Sequence, residues 1–172
     1  PFGLYIHIPF CQKKCSYCDF YSQVFKEKEL KININRYINC LKKEIKLYQE
    51  KMEVKKIKTI YFGGGTPSLL NGEQIKEIID FVIQHLDFPQ TGEITMESNP
   101  SSLDKNKLIN YKKAGINRLS LGIQSLIDEE LQLLGRIHTS DTARDVISKV
   151  KEVFNNFNLD LIFAIPDQSL EK

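Results

Sequence analysis

Two kinds of hydrophobic periodicity alternate along the chain. Short apolar or alternating runs predict β-strands at 4–8, 57–62, 93–97, 118–122 and 158–164. Between these runs, apolar residues recur every three or four positions, which is the spacing of an amphipathic helix. The predicted helices cover 34–48, 72–86, a segment from 104 that Gly115 ends, 128–134 and 140–154. Strands that alternate with helices of about ten to fifteen residues predict a parallel sheet built from βαβ units.

Polar or glycine-rich motifs follow the predicted strands. They include the cysteine-rich residues 11–18, the GGGTP run at 63–67 and the Asn99-Pro100 pair. Parallel sheets in α/β barrels and open α/β folds bind their ligands at the carboxyl ends of the strands. We therefore expect these motifs to meet at one edge of the sheet.

The composition is that of a globular chain with one core. Of 172 residues, 41% are hydrophobic and 27% are charged. The 24 basic and 22 acidic side chains nearly cancel, so the net charge gives no reason to expect nucleic acid or an anionic membrane as partner. No apolar stretch approaches the roughly 20 residues that span a bilayer. Because there is no initiating Met and 168–172 look like the start of a helix, we expect a segment of a longer protein.

Three of the four cysteines, Cys11, Cys15 and Cys18, follow the first predicted strand with CxxxCxxC spacing. A structural zinc site needs four protein ligands, whereas three thiolates that hold a four-iron cluster leave one iron open to a substrate. A zinc site would require His7 or Cys40 as fourth ligand. A disulfide is disfavoured, because clustered cysteines without a secretory segment fit a reducing compartment, and we expect a cytoplasmic protein.

Three further residues near these motifs have more than one interpretation. Cys40 falls within the predicted helix 34–48, beside its apolar stripe, and we expect a partly buried, unreactive thiol there. His7 precedes the cysteine loop and His138 follows Arg136. Each histidine either supports the site or is a structural residue with satisfied hydrogen bonds.

The cysteine spacing, with Tyr17 just before the third cysteine, resembles the signature of the radical S-adenosylmethionine (SAM) superfamily. The preceding YIHIPF is similar to the branch that contains oxygen-independent coproporphyrinogen III dehydrogenase and the HemW-type heme chaperones. The resemblance implies an α/β fold, a partial (β/α)6 barrel of which this chain holds about five strands. Residues 1–172 would then be the N-terminal part of the core domain, without the C-terminal domain, and the fifth strand would have an exposed edge.

The resemblance also implies two cofactors. Cys11, Cys15 and Cys18 would hold a [4Fe-4S] cluster, and SAM would bind its open iron. In the family, the reduced cluster donates an electron that cleaves SAM to methionine and a 5′-deoxyadenosyl radical, so an electron donor protein is an expected partner. By itself a triple glycine after a strand is as consistent with a tight turn as with a ligand loop. Here Gly64, Gly65 and Thr66 resemble the motif that receives the methionine end of SAM.

Further SAM contacts follow from the resemblance. Arg136 could hold a carboxylate with two parallel hydrogen bonds. Asp160 lies inside a strand that is otherwise apolar, where an acid needs a partner to offset its burial. Tyr5 and Tyr17 could instead be core aromatics, and Glu97 could be a solvated acid at the end of a strand. The contacts implied by the resemblance are Tyr5, Tyr17, Glu97, Gln124, Arg136 and Asp160.

Phe20 separates the two members of the branch. The dehydrogenase has a further cysteine at this position, whereas the chaperone type has phenylalanine. We therefore expect a heme chaperone that binds heme and delivers it to heme-accepting proteins, with its heme ligands beyond residue 172. The alternative is an enzyme of porphyrin biosynthesis that oxidatively decarboxylates the propionates of a porphyrinogen. A third possibility is another radical SAM enzyme with the same amino-terminal half, so whether the protein is an enzyme stays open at this point.

Overall fold

The computed structural model describes residues 2–51 and 56–169. The strands are β1 (Phe2–Ile8), β2 (Phe10–Cys11), β3 (Gln23–Val24), β4 (Ile57–Gly64), β5 (Glu93–Ser98), β6 (Arg118–Gln124) and β7 (Phe157–Leu161). The helices are α1 (Glu27–Lys51), α2 (Gly72–His85), α3 (Lys105–Ala114), α4 (Asp128–Leu133) and α5 (Ser140–Val153). Short 3-10 turns follow β4 at Pro67–Leu69 and β5 at Pro100–Ser102.

Five strands form one parallel sheet in the order β1-β4-β5-β6-β7. Among these five strands, neighbours in the sheet follow one another along the chain, so the strand order never reverses. A doubly wound sheet reverses its order at a switch point, whereas a (β/α) barrel adds its strands in one direction. The predicted partial barrel of five parallel strands is thus confirmed, and β7 forms an edge of the sheet within the described part of the chain.

The two faces of the sheet differ because side chains alternate along each strand. One face is apolar and packs against the helices; its buried residues include Ile6, Ile8, Ile60, Phe62, Met96, Leu119 and Leu121. Burial of each such side chain contributes about 1.5–3 kcal/mol to folding. The opposite face is polar, with Tyr61, Glu97, Ser120 and Asp160 joined to neighbours by hydrogen bonds. The core therefore lies between sheet and helices, and the polar face remains for ligand chemistry.

Local signals explain where the helices begin and end. Asn71 caps α2 with a reciprocal pair of hydrogen bonds to Gln74, both 2.9 Å long. Asp104 caps α3 by accepting from the Lys107 amide. Gly115 ends α3 with φ +111°, a left-handed conformation that glycine adopts without strain, as predicted.

Two predicted boundaries were wrong. Helix α1 begins at Glu27, not near residue 34. The prediction missed this start because the first turns are mostly charged and add one residue, Leu30, to the apolar stripe, four positions before Ile34; the acids in the first turn favour the start through the helix dipole. Strand β7 ends at Leu161 instead of 164, and Ala164 has φ +59°, which is incompatible with a strand. The predicted start of a helix at 168–172 falls mainly on 170–172, outside the described residues.

The prediction for Cys40 was also wrong, because this thiol is exposed. The buried residues of α1 are Ile34, Ile38 and Ile45. At about 100° per residue, Cys40 lies roughly 200° around the helix from Ile38 and so points away from the core. Separately, no helix in the described ranges is both long and apolar enough to cross a bilayer.

Candidate functional site

A single open cavity lies at the carboxyl ends of the parallel strands. The loops after β1, β4, β5 and β6 line it, together with β7. Every residue predicted as a cluster ligand or SAM contact lines this cavity except Tyr5: Cys11, Cys15, Cys18, Tyr17, Gly64, Gly65, Thr66, Glu97, Gln124, Arg136 and Asp160. Residues separated by more than a hundred positions in the sequence thus share one surface, as expected for parallel strands of a barrel.

The cysteine loop is closed at its base by β2 and β3. These two short strands pair with each other, and the Gln23 amide donates to the Pro9 carbonyl at 2.7 Å. Within the loop, the Cys18 amide donates to the Cys15 carbonyl at 3.3 Å, which forms a tight turn. All three thiols are free and partly buried. Three sulfur atoms therefore line the cavity, that of Cys11 from the end of β2 and those of Cys15 and Cys18 from the irregular loop.

The triple glycine passes directly below this loop. The Gly65 amide donates to the Ile8 carbonyl at 2.8 Å, and the Thr66 amide donates to the Phe10 carbonyl at 2.7 Å. A Cβ atom on Gly65 would lie 2.7 Å from the Phe10 carbonyl oxygen and 3.1 Å from the Cys11 sulfur. Gly64 has φ +109°, and a Cβ atom there would lie 2.6 Å from the His7 ring. The run is thus both a tight turn and a wall of the cavity, so the two interpretations from sequence do not exclude each other.

Two donors approach the thiol sulfurs. The Thr66 hydroxyl donates to Cys11 Sγ at 3.5 Å, and Arg136 Nη1 donates to Cys15 Sγ at 3.6 Å. Arg136 is oriented by the Gly122 carbonyl, which accepts from Nη2 at 2.7 Å, and it also reaches the Tyr17 hydroxyl at 3.4 Å. Arg136 Nε is buried and has no hydrogen-bond partner in the described part of the chain. The guanidinium therefore lies within reach of one thiol and leaves a donor for an anionic ligand.

Glu97 is held at the end of β5 on the polar face of the sheet. Its Oε1 accepts from the Tyr61 hydroxyl at 2.9 Å, and its Oε2 accepts from the Gly64 amide at 3.1 Å. Burial raises the pKa of Glu97 above its ordinary value, with a further contribution from the charge of Asp160, although the two hydrogen bonds oppose the shift. Glu97 is therefore a half-buried, oriented carboxyl group and not a freely solvated acid.

Asp160 has partners on both oxygens. Ser120 donates to Oδ2 at 2.7 Å, and Asn158 donates to Oδ1 at 2.6 Å. Asn158 in turn accepts from Arg118 at 2.6 Å. The prediction that this acid requires partners is confirmed, and the partners fix the direction in which the carboxylate faces the cavity.

Gln124 has a backbone conformation that is uncommon for its residue type. Its φ is +68°, and it lies where the register between β6 and β7 shifts. The Ile162 amide donates to its carbonyl at 2.9 Å, so β7 holds this irregular end of β6 in place. Backbone strain of this kind concentrates at ligand sites, where neighbouring structure maintains it. Its side chain is thereby directed toward the cavity.

Tyr5 and Tyr17 are not core aromatics. Tyr17 is 42% exposed and lines the cavity, whereas Tyr5 is 54% exposed and lies behind the glycine turn. Tyr5 stacks on Tyr61 with 6.0 Å between ring centroids, and its hydroxyl donates to His7 Nδ1 at 3.0 Å. Since the Tyr21 carbonyl accepts from His7 Nε2 at 2.8 Å, both nitrogens of His7 are engaged. The structure thus brings Tyr17 into the cavity but leaves Tyr5 one layer behind it.

The zinc alternative required His7 or Cys40 as fourth ligand. Both ring nitrogens of His7 already have hydrogen-bond partners, and Cys40 is exposed on α1, away from the cavity lining. Among the described residues, no three His, Cys, Asp or Glu side chains are grouped closely enough to hold a single metal ion. Neither candidate for the fourth zinc ligand therefore lines the cavity with the three thiols.

His138 is a buried histidine behind the cavity, 5% exposed. The Ile123 carbonyl accepts from its Nε2 at 3.2 Å, which leaves Nδ1 as the bare nitrogen, buried and without a partner in the described ranges. Burial, assisted by the nearby Arg136 charge, lowers the pKa of His138 to about 4. The residue is therefore a neutral structural histidine at pH 7.

Sequence analysis missed several cavity residues, among them Ser98, Ser120 and Gly122. The signal for the last two was the alternation along β6, where Leu119, Leu121 and Ile123 face the core and the residues between them face the ligand side. The same alternation along β7 pairs Asn158 with Asp160 on the polar face. A period of two, applied to each strand, would have found them.

Comparison with known proteins identifies relatives of the chain. Residues 5–172 match the family described as the Radical SAM superfamily. The chain is 41% identical to the heme chaperone HemW of Buchnera aphidicola subsp. Schizaphis graminum (strain Sg), over 99% of this chain and 45% of that protein. It is 39% identical to the heme chaperone HemW of Escherichia coli (strain K12), over 100% of this chain and again 45% of the relative. The chain thus spans about half the length of the curated relatives it matches.

A solved structure gives the same placement. The chain is similar to coproporphyrinogen III oxidase (HemN) from Escherichia coli, described as a radical SAM enzyme, with a TM-score of 0.88. The sequence identity is 29%, over 99% of this chain and 39% of that one. The similarity covers the sheet, the helices and the cavity loops together.

Proposed function

This chain belongs to the radical SAM superfamily, and from that premise we propose that its cavity binds a [4Fe-4S] cluster and SAM in a heme chaperone of the HemW type. The observation that supports the proposal most strongly is the shared cavity. Cys11, Cys15 and Cys18 line it together with the glycine turn and Arg136. Three thiols, with neither His7 nor Cys40 in the cavity lining, match a cluster with one iron open to a small molecule.

The donor set suits the cluster. Thiolates are the usual protein ligands of iron-sulfur clusters, and the guanidinium of Arg136, 3.6 Å from the Cys15 sulfur, would offset part of the negative charge of a cluster bound there. The loop that contains the cysteines has no regular structure between β2 and β3, so its backbone does not constrain the sulfurs to one strand face. Cys11, Cys15 and Cys18 would therefore each bind one iron.

The remaining walls suit SAM, an amino acid joined to a nucleoside. Arg136 has a buried Nε without a partner among described residues, and it would bind the carboxylate of the methionine part. Gly64 and Gly65 have no side chains that would cover this wall, and the carboxyl group of Glu97, held by the Gly64 amide, would face the amino group. Gln124 and Asp160 would accept from the ribose hydroxyls, and Tyr17 would lie against the adenine. When bound, the pair supplies reductive cleavage of SAM to methionine and a deoxyadenosyl radical, while the protein orients the ligands and excludes water.

Two observations favour the chaperone over the porphyrinogen oxidase. Phe20 lines the cavity and stands where the oxidase branch has a further cysteine. The identity to the HemW relatives is about 40%, compared with 29% to HemN. In this proposal the protein works in the reducing cytoplasm, accepts electrons from a donor protein and passes heme to acceptor proteins. The heme ligands would lie outside residues 1–172.

The test is anaerobic reconstitution of the full-length protein with iron and sulfide. We expect a broad absorbance near about 400 nm, and its loss when Cys11, Cys15 or Cys18 is changed to Ala, because each removes one thiolate anchor. Cys40→Ala is the matched control, since this exposed thiol is remote from the cavity, and it should keep full absorbance. Full absorbance in all three cavity variants would contradict the cluster assignment.

The same preparation decides between chaperone and oxidase. A chaperone is expected to bind added heme and to leave coproporphyrinogen III unchanged. An oxidase would convert the propionate side chains of coproporphyrinogen III to vinyl groups, which a chromatographic assay detects. Sustained formation of the vinyl product would replace the proposed function with the alternative.

A further inference from the structure

Two consecutive loops of the cavity share one plan. Thr66-Pro67-Ser68 follows β4, and Asn99-Pro100-Ser101 follows β5; each forms a short 3-10 turn with proline in its first position. The first loop touches the cysteine loop through the Thr66 hydroxyl, and the second does so through Ser101, which donates to Gln12 Oε1 at 3.4 Å. The relative position of the two turns therefore determines the shape of the cavity wall beside the cysteines.

A closed ring of hydrogen bonds joins the two turns. The Asn99 amide donates to Ser68 Oγ at 3.1 Å, and Ser102 Oγ donates to the Asn99 carbonyl at 2.8 Å. The two serine oxygens are 2.5 Å apart, so Ser68, which already accepts from the amide, donates to Ser102. Each hydroxyl donates once and accepts once, and both serines are buried. Such a satisfied buried network has one preferred geometry.

Lys107 also connects these two turns, through hydrogen bonds from its charged ammonium group. Its Nζ donates to the Ser68 carbonyl at 3.1 Å and to the Ser102 carbonyl at 2.9 Å. Its own amide is fixed by the Asp104 cap at 2.8 Å, so the side chain starts from a set position on α3. Burial lowers the pKa of Lys107, and no carboxylate lies within ion-pair distance of its Nζ in the described part of the protein. The half-buried ammonium group of Lys107 donates hydrogen bonds to a carbonyl in each turn. These bonds hold the two turns together.

We propose that Lys107 is a positioning residue for the cofactor cavity, which it shapes by bridging the turns at 67–69 and 100–102. The inference rests on the proposed function, because it says that the Lys107 bridge maintains the shape of a cavity that binds SAM. Lys107 does not line the cavity and touches no predicted ligand. Its effect passes through Ser68 to Thr66 on one side, and through Ser102 to Asn99 on the other.

Tyr111, also on α3, provides the matched control. Its fully buried hydroxyl is 3.0 Å from the Ser68 carbonyl and 2.7 Å from the Leu70 carbonyl, so it supports the first turn alone. Tyr111→Phe removes these bonds without affecting the bridge between the turns. A purely structural role for Lys107 would make Lys107→Met and Tyr111→Phe behave alike.

The experiment measures the SAM dissociation constant, the iron content and the melting temperature of full-length, cluster-loaded protein. We expect Lys107→Met to retain its iron but to bind SAM about tenfold more weakly, since a charge-assisted bridge is lost. Tyr111→Phe should lower the melting temperature and leave SAM affinity within about twofold of wild type. Lys107→Arg should restore most of the affinity, because a guanidinium can also donate to two carbonyls.

Ser102→Ala is a second variant that tests the connection between the two turns. It breaks the ring but keeps Lys107, and it should weaken SAM binding several-fold even if Lys107→Met does not fold. Wild-type SAM affinity in Ser102→Ala or in a folded Lys107→Met would overturn this inference while leaving the proposed function intact, and so would an equal loss in Tyr111→Phe. Failure of the wild-type protein to bind a cluster and SAM would overturn both.

Discussion

Thr66 shows how much one side chain does at this site. Its amide donates to the Phe10 carbonyl, and its hydroxyl donates to Cys11 Sγ at 3.5 Å. It is buried, 8% exposed, so water competes poorly for the hydroxyl. A hydrogen bond to a cluster-binding thiolate stabilises the reduced, more negative state of an iron-sulfur cluster. With the proposed cluster bound, Thr66 would therefore affect the ease of reduction as well as the shape of the turn.

Replacement of Thr66 by Val, which keeps the shape and removes the hydroxyl, should make the midpoint potential of the bound cluster more negative. A net hydrogen bond of about 0.5–1.5 kcal/mol corresponds to about 20–60 mV for a one-electron couple. An anaerobic redox titration followed by electron paramagnetic resonance gives the potential. Thr66→Ser retains the hydroxyl and should stay close to wild type, whereas equal potentials for wild type and Thr66→Val would show that the contact has no electronic effect.

At the scale of helices and strands, the sequence predicts those elements and ends that leave a local pattern of apolar, capping or glycine residues. Helix α2 and the cap of α3 at Gly115 were predictable, because an apolar stripe, a capping residue and a glycine each leave a local signal. The start of α1 at Glu27 was not, since its first turns are mostly charged and the packing of Leu30 against the core helps to decide their conformation. The irregular end of β6 at Gln124 was equally hidden, because it depends on a hydrogen bond from the amide of Ile162, just after β7.

The connection from α4 to α5 is held to β6 by His138, and this contact depends on pH. The pKa of His138 falls from 6.5 to about 4 on folding, so the folded state takes up its proton at lower pH than the unfolded state. The stability contribution is therefore complete above about pH 6.5 and is lost progressively as the pH falls toward 4. Arg136 opposes protonation, and Asp128 at the start of α4 favours it more weakly.

We expect His138→Gln to remove this pH dependence. The full-length wild type should lose about 2–3 kcal/mol of unfolding free energy between pH 7 and pH 4 through His138, and the variant should not lose that part. Urea unfolding at several pH values measures the difference. His85 lies on α2, where its Nδ1 donates to the Phe81 carbonyl at 2.8 Å, so His85→Gln is the matched control on another helix. Parallel pH curves for wild type and His138→Gln would contradict the assignment.

At the scale of the whole molecule, the fold and the site have one origin. Parallel strands in sequential order bring the residues after β1, β4, β5 and β6 to one edge, so distant motifs meet without any long-range signal in the sequence. Eleven of the twelve residues that the family resemblance implied line the cavity. Tyr5, the twelfth, lies outside the lining, because it packs against Tyr61 and His7 behind the glycine turn, and no local signal in the sequence encodes that packing. The described chain also leaves β7 at an edge, with Leu161 exposed.

The most direct test of the central claim is the electron paramagnetic resonance spectrum of the reduced, reconstituted full-length protein before and after addition of SAM. If three cysteines hold the cluster and SAM binds the remaining iron, the protein should show a reduced-cluster signal whose shape changes when SAM is added. An absent cluster signal, or a signal that saturating SAM leaves unchanged, would contradict the account.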